Sequence, residues 1–325
     1  MSQSEGCRQS FFYPGRVIFG VLLCAFFSVL TSTIVLAQNV TPPTSEIVGT
    51  LPKGHFLENL TAGPNGDLFI TDYVGRAIIR YQSDDGLRLI RVLGVHPVGI
   101  ERAETGFVVS AHVGSIMNGP SQIGANLILE VTDKGKVTDQ FEVPGAIFLN
   151  GVEHLTGSQF LVADSIRGVI FLVDTVENSV RIWLDDPRLA PADPPTPAPA
   201  ANGIKIRDGV VYISNSARGS LLTVPVDDPR PETVSVLLEN TVIDDFVFSE
   251  EGTIFATTHS KDVLRITPDL KVSVFANEAQ GVAGGTAAEI VKEGGRTFLY
   301  IIGDGGLFEG LTLKAPSIVR ILLSE

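Results

Sequence analysis

The sequence predicts an all-β protein, a six-bladed β-propeller, and three observations lead to this prediction. Short segments rich in Val, Ile, Leu, Phe and Thr recur along the chain, separated by Gly, Asp, Asn and Pro. The apolar residues show no helical period. A glycine that opens a hairpin recurs at intervals of 40, 51, 52, 43 and 43 residues, at Gly66, Gly106, Gly157, Gly209, Gly252 and Gly295. A period of about 40–50 residues with several short strands per unit is typical of a propeller blade, and six units predict six blades.

The two ends of this repetitive region predict how the ring closes. The segment SEIVGTL at 45–51 looks like a strand but has no hairpin partner, and the last unit ends in SIVRILLSE. Pairing 45–51 with 317–323 would complete the sixth blade and remove two exposed strand edges at once. We therefore expect a ring that is closed by its N-terminal and C-terminal strands.

The N-terminal region predicts export. Residues 17–36 carry no charge, follow Arg16, and lead to a small-residue cleavage site that ends at Ala37. The same run is long enough to span a bilayer, so an uncleaved membrane anchor is the alternative. Cys7 and Cys24 both lie in this leader, so the folded domain would have no thiol chemistry. The predicted division is a signal peptide at 1–37, a linker at 38–44 and the propeller at 45–325, in a secreted or periplasmic protein.

The charge balance excludes some classes of partner. The 325 residues carry a formal net charge of −13, which argues against nucleic acid or an anionic membrane surface as the main partner. We expect a monomer that acts on a small molecule. The proline-rich stretch at 187–201 is interpreted as a semi-rigid surface loop rather than a partner-binding motif.

A polar residue recurs seven or eight positions before four of the six hairpin glycines. The four residues are Glu58, Asn150, Asn202 and Asp244, whereas the second and sixth units have Val98-Gly99 and Ala287-Ala288. This position begins the innermost strand of each blade, and these strand starts converge on the central channel. Two carboxylates placed together there would repel each other without a cation between them. Oxygen donors without His or Cys favour Ca²⁺, with Mg²⁺ or Mn²⁺ as substitutes. Alternatively, Asn and Asp precede strands because they favour turns.

The order Glu, Asn-Gly, Asn-Gly, Asp, one per blade, resembles the senescence marker protein/gluconolactonase family. Paraoxonases, diisopropyl fluorophosphatase and strictosidine synthase are related to that family. The resemblance covers 45–325 and implies a six-bladed propeller with a catalytic Ca²⁺, or another divalent cation, in the central channel. It also implies hydrolysis of a lactone or ester, with Glu58, Asn150, Asn202 and Asp244 as metal ligands and Asp244 as the residue that orients or deprotonates water.

Some residues depart from that pattern. Asp245 follows Asp244 where gluconolactonases tend to have glycine, which is closer to paraoxonase-like members, and strand alternation predicts that its side chain points away from that of Asp244. Asn118 and Gln122 are the candidates for a substrate-binding residue in the second unit. Among the histidines, His55 near Glu58 and His112 at a strand end either face the channel or are structural. The alternative functions are a non-hydrolytic propeller, either a binding module or a pericyclase-like biosynthetic enzyme.

Overall fold

The computed structural model describes residues 43–192, 199–308 and 312–324. The predicted leader at 1–37, with its cleavage site, lies outside these ranges, as do residues 193–198 of the proline-rich stretch. Within the described ranges, no helix is both long enough and apolar enough to cross a membrane. The helical content there consists of short 3₁₀ turns at Ile116–Asn118, Pro120–Gln122, Pro231–Thr233 and Glu278–Gln280.

Six antiparallel sheets of four strands each make up the described structure, which confirms the predicted six-bladed propeller. Blade 1 contains β2 (Leu57–Ala62), β3 (Leu68–Asp72), β4 (Ala77–Gln82) and β5 (Gly86–Val92). Blade 2 contains β6 (His96–Arg102), β7 (Phe107–His112), β8 (Asn126–Val131) and β9 (Val137–Glu142). Blade 3 contains β10 (Leu149–Thr156), β11 (Gln159–Asp164), β12 (Val169–Asp174) and β13 (Ser179–Asp185). Blade 4 contains β14 (Ala201–Arg207), β15 (Val210–Asn215), β16 (Ser220–Pro225) and β17 (Ser235–Leu238).

The last two blades complete the ring. Blade 5 contains β18 (Phe246–Phe248), β19 (Ile254–Thr257), β20 (Val263–Ile266) and β21 (Val272–Ala276). Blade 6 contains β22 (Gly285–Glu293), β23 (Arg296–Gly303), β24 (Ser317–Ser324) and, as its outermost strand, β1 (Ser45–Thr50). β1 pairs antiparallel with β24, with Ser45 opposite Ile321 and Thr50 opposite Ser317. The predicted closure by the two terminal strands is therefore confirmed.

Each hairpin glycine found in the sequence lies between the first and second strands of its blade. All six have φ between 52° and 85°, in the left-handed region where a side chain would strain the backbone. The recurring glycine therefore marks a backbone conformation that the blade requires.

The apolar core lies between neighbouring blades. Leu161 and Ile170 of blade 3, for example, pack with Ile204 and Ile213 of blade 4, and all four side chains are fully buried. Because both faces of a blade are covered in this way, its middle strands contain nearly continuous apolar runs, as in β12, VIFLVD. This packing holds the innermost strands, and with them the wall of the central channel, in fixed positions.

Candidate active site in the central channel

Hydroxyl groups on the second strands show which residues of the innermost strands are equivalent. A Ser or Thr side chain donates a hydrogen bond to a backbone carbonyl of the next blade, at 2.6–2.8 Å. The bonds run from Thr71 to Val98, from Ser110 to Asn150, from Ser214 to Asp244 and from Thr257 to Thr286. The predicted equivalence of Asn150 and Asp244 therefore holds in the structure. In the sixth blade the equivalent residue is Thr286, one position before the expected Ala287.

A bulge at this level turns two consecutive residues of an innermost strand toward the channel. In blade 5, the N–H of Asp244 donates to the carbonyl of Thr257, and the N–H of Thr257 donates to the carbonyl of Asp245, so two residues oppose one. Register shifts also occur at the same place in blades 1 to 4. The prediction that Asp245 points away from Asp244 is therefore wrong, because strand alternation fails at a bulge.

The structure brings Asn202 and Asp244 into direct contact, with Nδ2 of the amide donating to Oδ1 of the carboxylate. The same Nδ2 donates to Oγ of Ser216 at 3.1 Å, and Nδ2 of Asn150 donates to Oγ of Ser165 at 3.2 Å. The two serines occupy the same position, directly after the second strand of their blades. Asn150, Asn202 and Asp244 are all buried.

Glu58 faces this group from blade 1. Burial raises its pKa to about 8, and the negative charge of Asp244 raises it further toward that value. Its Oε2 is buried and has no hydrogen-bond partner among the described residues. A buried carboxylate oxygen without a partner is costly, so this atom indicates that Glu58 either holds a proton or contacts a bound cation.

His259 joins the site, although the sequence analysis did not include it. Its Nδ1 lies 3.1 Å from Oδ2 of Asp244, and its Nε2 lies 3.2 Å from Oδ2 of Asp304. Burial opposes the charged imidazolium, but the two carboxylates outweigh that effect and raise the pKa of His259 well above its ordinary value. Its backbone is left-handed, with φ of 52°, and its N–H donates to the carbonyl of Gly285 at 2.8 Å. The pair of carboxylates therefore holds the imidazole in one orientation.

The sequence contained a weak signal for this histidine. His259 stands two residues after Thr257, as Ser216 stands two residues after the equivalent Ser214, so it occupies in blade 5 the position that Ser216 has in blade 4. Asp304, in the GDGG segment, follows the second strand of blade 6 directly and accepts a hydrogen bond from the N–H of Gly306 at 2.7 Å. A comparison of these strand ends, in addition to the strand starts, would have found both residues.

The other residues singled out from the sequence lie outside this group. His112 is fully buried, its Nε2 bonds to the carbonyl of Leu149 at 2.9 Å, and burial lowers its pKa to about 4, so the structural interpretation holds. His55 contacts Asp72, with 2.5 Å between Nδ1 and Oδ2, rather than Glu58. Asn118 and Gln122 lie exposed on the loop between β7 and β8.

A second polar layer lies further along the same innermost strands. On β10 and β14, for example, its residues come three positions after Asn150 and Asn202. It consists of Lys205 and four carboxylates whose charges act on it, those of Glu101, Glu153, Asp245 and Glu289. Nζ of Lys205 lies 3.6 Å from Oδ1 of Asp245, and burial opposes its charge while the carboxylates, Asp245 first, raise its pKa. Nδ2 of Asn59 donates to Oδ2 of Asp245 at 3.3 Å and so connects this lower layer to the strand of Glu58.

No group of three or more His, Cys, Asp or Glu side chains within the described ranges is arranged to hold a metal ion. The ligand set predicted from the sequence is of a different kind, since it combines two carboxylates with two amides. Its role in binding a metal stays a prediction.

Comparison with known proteins gives the fold. Regucalcin from Agrobacterium tumefaciens, a calcium-binding protein, matches with a TM-score of 0.61 at 12% identity, over 87% of this chain and 96% of its own. A candidate gluconolactonase matches with a TM-score of 0.58 at 12% identity, over 88% and 94%. A catalytically inactive His-to-Ala variant of virginiamycin B lyase from Staphylococcus aureus, solved with quinupristin, matches with a TM-score of 0.55 at 12% identity, over 86% and 99%.

The shared property is the β-propeller fold. No protein-family model matches the chain, and no curated protein sequence matches it. Proteins with the same fold include regucalcin and the candidate gluconolactonase, in line with the resemblance drawn from the sequence. At these identities the likeness carries no residue roles, so the activity has to be argued from the site itself.

Proposed function

We propose that this protein is a calcium-dependent hydrolase of a lactone or ester, with its metal held by Glu58, Asn150, Asn202 and Asp244. The observation that carries the proposal is Oε2 of Glu58, a buried carboxylate oxygen that has no described partner and lies near the carboxylate of Asp244. A divalent cation would supply the missing contact of Oε2 and would offset the repulsion between the two carboxylates.

The donor atoms fit such a cation. Ser165 and Ser216 hold Nδ2 of Asn150 and Asn202, so the carbonyl oxygen of each amide is the atom left for a ligand. Two carboxylates and two amide oxygens form a hard, all-oxygen donor set, which favours Ca²⁺ and also admits Mg²⁺ or Mn²⁺. When bound, the cation would polarise the carbonyl of the substrate and stabilise the negative charge that develops on its oxygen.

The chain itself supplies the proton transfer. We assign this step to Nδ1 of His259, which faces Asp244 at 3.1 Å, and we assign to Asp244 the orientation of the attacking water. Asp304 contacts Nε2 on the other side of the ring and so fixes its orientation, as the third member of a catalytic group commonly does. The inactive His-to-Ala variant of virginiamycin B lyase indicates that a histidine is important in one enzyme of this fold.

The test is a panel of lactones and aryl esters, assayed with chelator and again with added Ca²⁺. We expect turnover that the chelator abolishes and Ca²⁺ restores. His259→Gln should lower kcat by about 10²–10⁴-fold, the range typical of general acid–base catalysis. His154→Gln is the matched control, because His154 lies on the β10–β11 hairpin and bonds only to the carbonyl of Gly157.

Two results would contradict the proposal. Turnover that survives the chelator would remove the metal from the mechanism. Binding of the same compounds without any turnover would instead favour the alternative, a propeller that acts as a binding module. Product analysis by mass separates hydrolysis, which adds one water, from a lyase or pericyclic reaction, which adds none.

A further inference from the structure

The mouth of the channel has two chemically different sides. Blades 3, 4 and 5 present the polar residues Asn150, Asn202 and Asp244. Beside them lies an apolar surface, which we refer to as the aromatic wall. The wall consists of Phe56, Tyr73, Val98, Ile116, Leu307 and Phe308.

The wall borders the proposed catalytic histidine. The ring centroid of Phe308 lies 5.4 Å from that of His259 in an edge-to-face arrangement, and that of Phe56 lies 5.8 Å from it. Phe56 and Phe308 are themselves 5.5 Å apart, and Tyr73 continues the group at 5.7 Å from Phe56. Apolar rings therefore extend from the imidazole outward.

The wall offers few polar contacts. The hydroxyl of Tyr73 accepts a hydrogen bond from the N–H of Ile116 at 2.7 Å and lies 3.4 Å from Nδ1 of His112, so its hydrogen-bonding capacity is already used. In blade 2, Val98 occupies the position that holds an asparagine in blades 3 and 4. In blade 2 the wall therefore presents an apolar side chain where blades 3 and 4 present an amide.

Phe308 is the exposed end of the wall. Phe56, Tyr73 and Val98 are buried, but 54% of the surface of Phe308 is accessible although its ring contacts both Phe56 and His259. Exposed aromatic surface next to a polar site is typical of a ligand-binding surface.

We propose that the aromatic wall binds the apolar part of the substrate, so that the enzyme acts on lactones or esters with an alkyl or aryl group rather than on sugar lactones. This inference rests on the proposed hydrolase function. A substrate whose carbonyl carbon lies near His259 would place its neighbouring carbons against Phe308 and Phe56. A sugar ring in the same place would leave its hydroxyl groups against apolar side chains, without the partners that they need.

The experiment measures kcat/KM for a series of δ-lactones with increasing alkyl chains, beside gluconolactone. We expect kcat/KM to rise about fourfold for each added methylene group, which corresponds to its burial against the wall. Phe308→Ala should lower kcat/KM about tenfold for the long-chain lactones and less than twofold for gluconolactone, and Phe308→Leu should restore most of the loss. Val176→Ala, at an exposed position on the β12–β13 hairpin, is the matched control and should change nothing.

The same series also separates this inference from the proposed function. If Ca²⁺-dependent turnover is present but independent of chain length and of Phe308, the aromatic wall is not the substrate-binding surface, and the hydrolase function stands. If no compound turns over, the affinity of the protein for the long-chain lactones, measured by calorimetry, tests the aromatic wall separately. Binding that strengthens with chain length and weakens in Phe308→Ala would support the wall and reject the hydrolase, whereas chain-length-independent binding or no binding would reject both.

Discussion

The two polar layers of the channel are built on the same innermost strands but differ in how their charge is balanced. In the lower layer, the charges of four carboxylates act on the ammonium group of Lys205, and that of Asp245 lies 3.6 Å from it. In the upper layer, Glu58 and Asp244 face each other, and the only cationic side chain in contact among the described residues is His259, which lies on Asp244. Oδ1 of Asp245 in the lower layer makes no hydrogen bond but lies 3.6 Å from the ammonium group of Lys205, whereas Oε2 of Glu58 in the upper layer has neither a hydrogen bond nor an ion pair among the described residues.

Single innermost strands contribute residues to both layers. Asn202 and Lys205 lie three residues apart on β14, and Asn150 and Glu153 are related in the same way on β10. A cation that is part of the chain is always present, so the lower layer is structural. Under the proposed function, the upper layer, in which Glu58 has no cationic partner, would take its cation from solution and would be the place for the ligand and for chemistry.

The largest expected effect comes from removing the internal cation. Lys205→Met would leave the buried carboxylate of Asp245, and the partly buried glutamates around it, without a positive partner, and breaking a buried ion pair in this way typically costs about 3–5 kcal/mol. We expect a loss of that size in the free energy of unfolding at pH 8, measured from urea denaturation. The loss should shrink at pH 5, where the glutamates of the layer bind protons.

Lys292→Met is the control for this change. Lys292 pairs with Glu250 on the surface, where both side chains are more than half exposed, and exposed pairs contribute about 0–1 kcal/mol. If Lys205→Met destabilises the protein no more than Lys292→Met does, the lower layer does not depend on its ammonium group and the contrast between the layers disappears.

The second effect concerns the upper layer. Binding to the folded state alone stabilises a protein by about 2.7 kcal/mol when the ligand is at a hundred times its Kd. We expect Ca²⁺ to stabilise the chelated protein by about this amount, and Glu58→Gln to remove most of the response. Without Ca²⁺ at pH 8, the variant should be no less stable than the parent, because it lacks a buried charge with an unpartnered oxygen.

Glu153→Gln provides the comparison for that variant. Glu153 is a partly buried glutamate of the lower layer, so its replacement should leave the Ca²⁺ response intact. A Ca²⁺ response that is lost in Glu153→Gln and kept in Glu58→Gln would place the cation in the lower layer.

Much of the fold could be predicted from the sequence because each blade repeats one backbone requirement. Gly66 and its five counterparts have positive φ, so the hairpin appears in the sequence as a glycine at regular spacing. The closure by β1 was predictable for a similar reason, since an unpaired strand at one end and a missing strand at the other complete a single blade.

The site was less accessible to sequence reasoning. Glu58, Asn150, Asn202 and Asp244 were found because they share a position relative to the glycines. Asp245 was placed wrongly because a bulge overrides strand alternation. His259 and Asp304 were missed because they lie just after the second strands of their blades, away from the strand starts at which the recurring polar residues stand; His259 contacts Asp244, and Asp304 contacts His259.

The last expected effect is a dependence of stability on pH, which measures both layers together. Burial raises the pKa of Glu101 and Glu289 to about 7 and that of Glu153 to about 8, from an ordinary value of 4.5, although Lys205 opposes the shift. The folded chain therefore binds more protons than the unfolded chain between these values. This contribution to stability is complete below about pH 4.5 and is lost as the pH rises through 7 to 8.

We therefore expect the free energy of unfolding of the chelated protein to fall as the pH rises from 5 to 8, by at most about 1.4 kcal/mol per pH unit for each such glutamate. Glu153→Gln should make the slope shallower both with and without Ca²⁺, because it acts on the lower layer. Glu58→Gln should make it shallower only in chelator, since bound Ca²⁺ would already hold that carboxylate ionised. Urea denaturation at four pH values in both conditions measures the slopes. A free energy of unfolding that stays level or increases over this range would mean that the glutamates are ionised in the folded protein. Their negative charge would then be balanced by more than the ammonium group of Lys205.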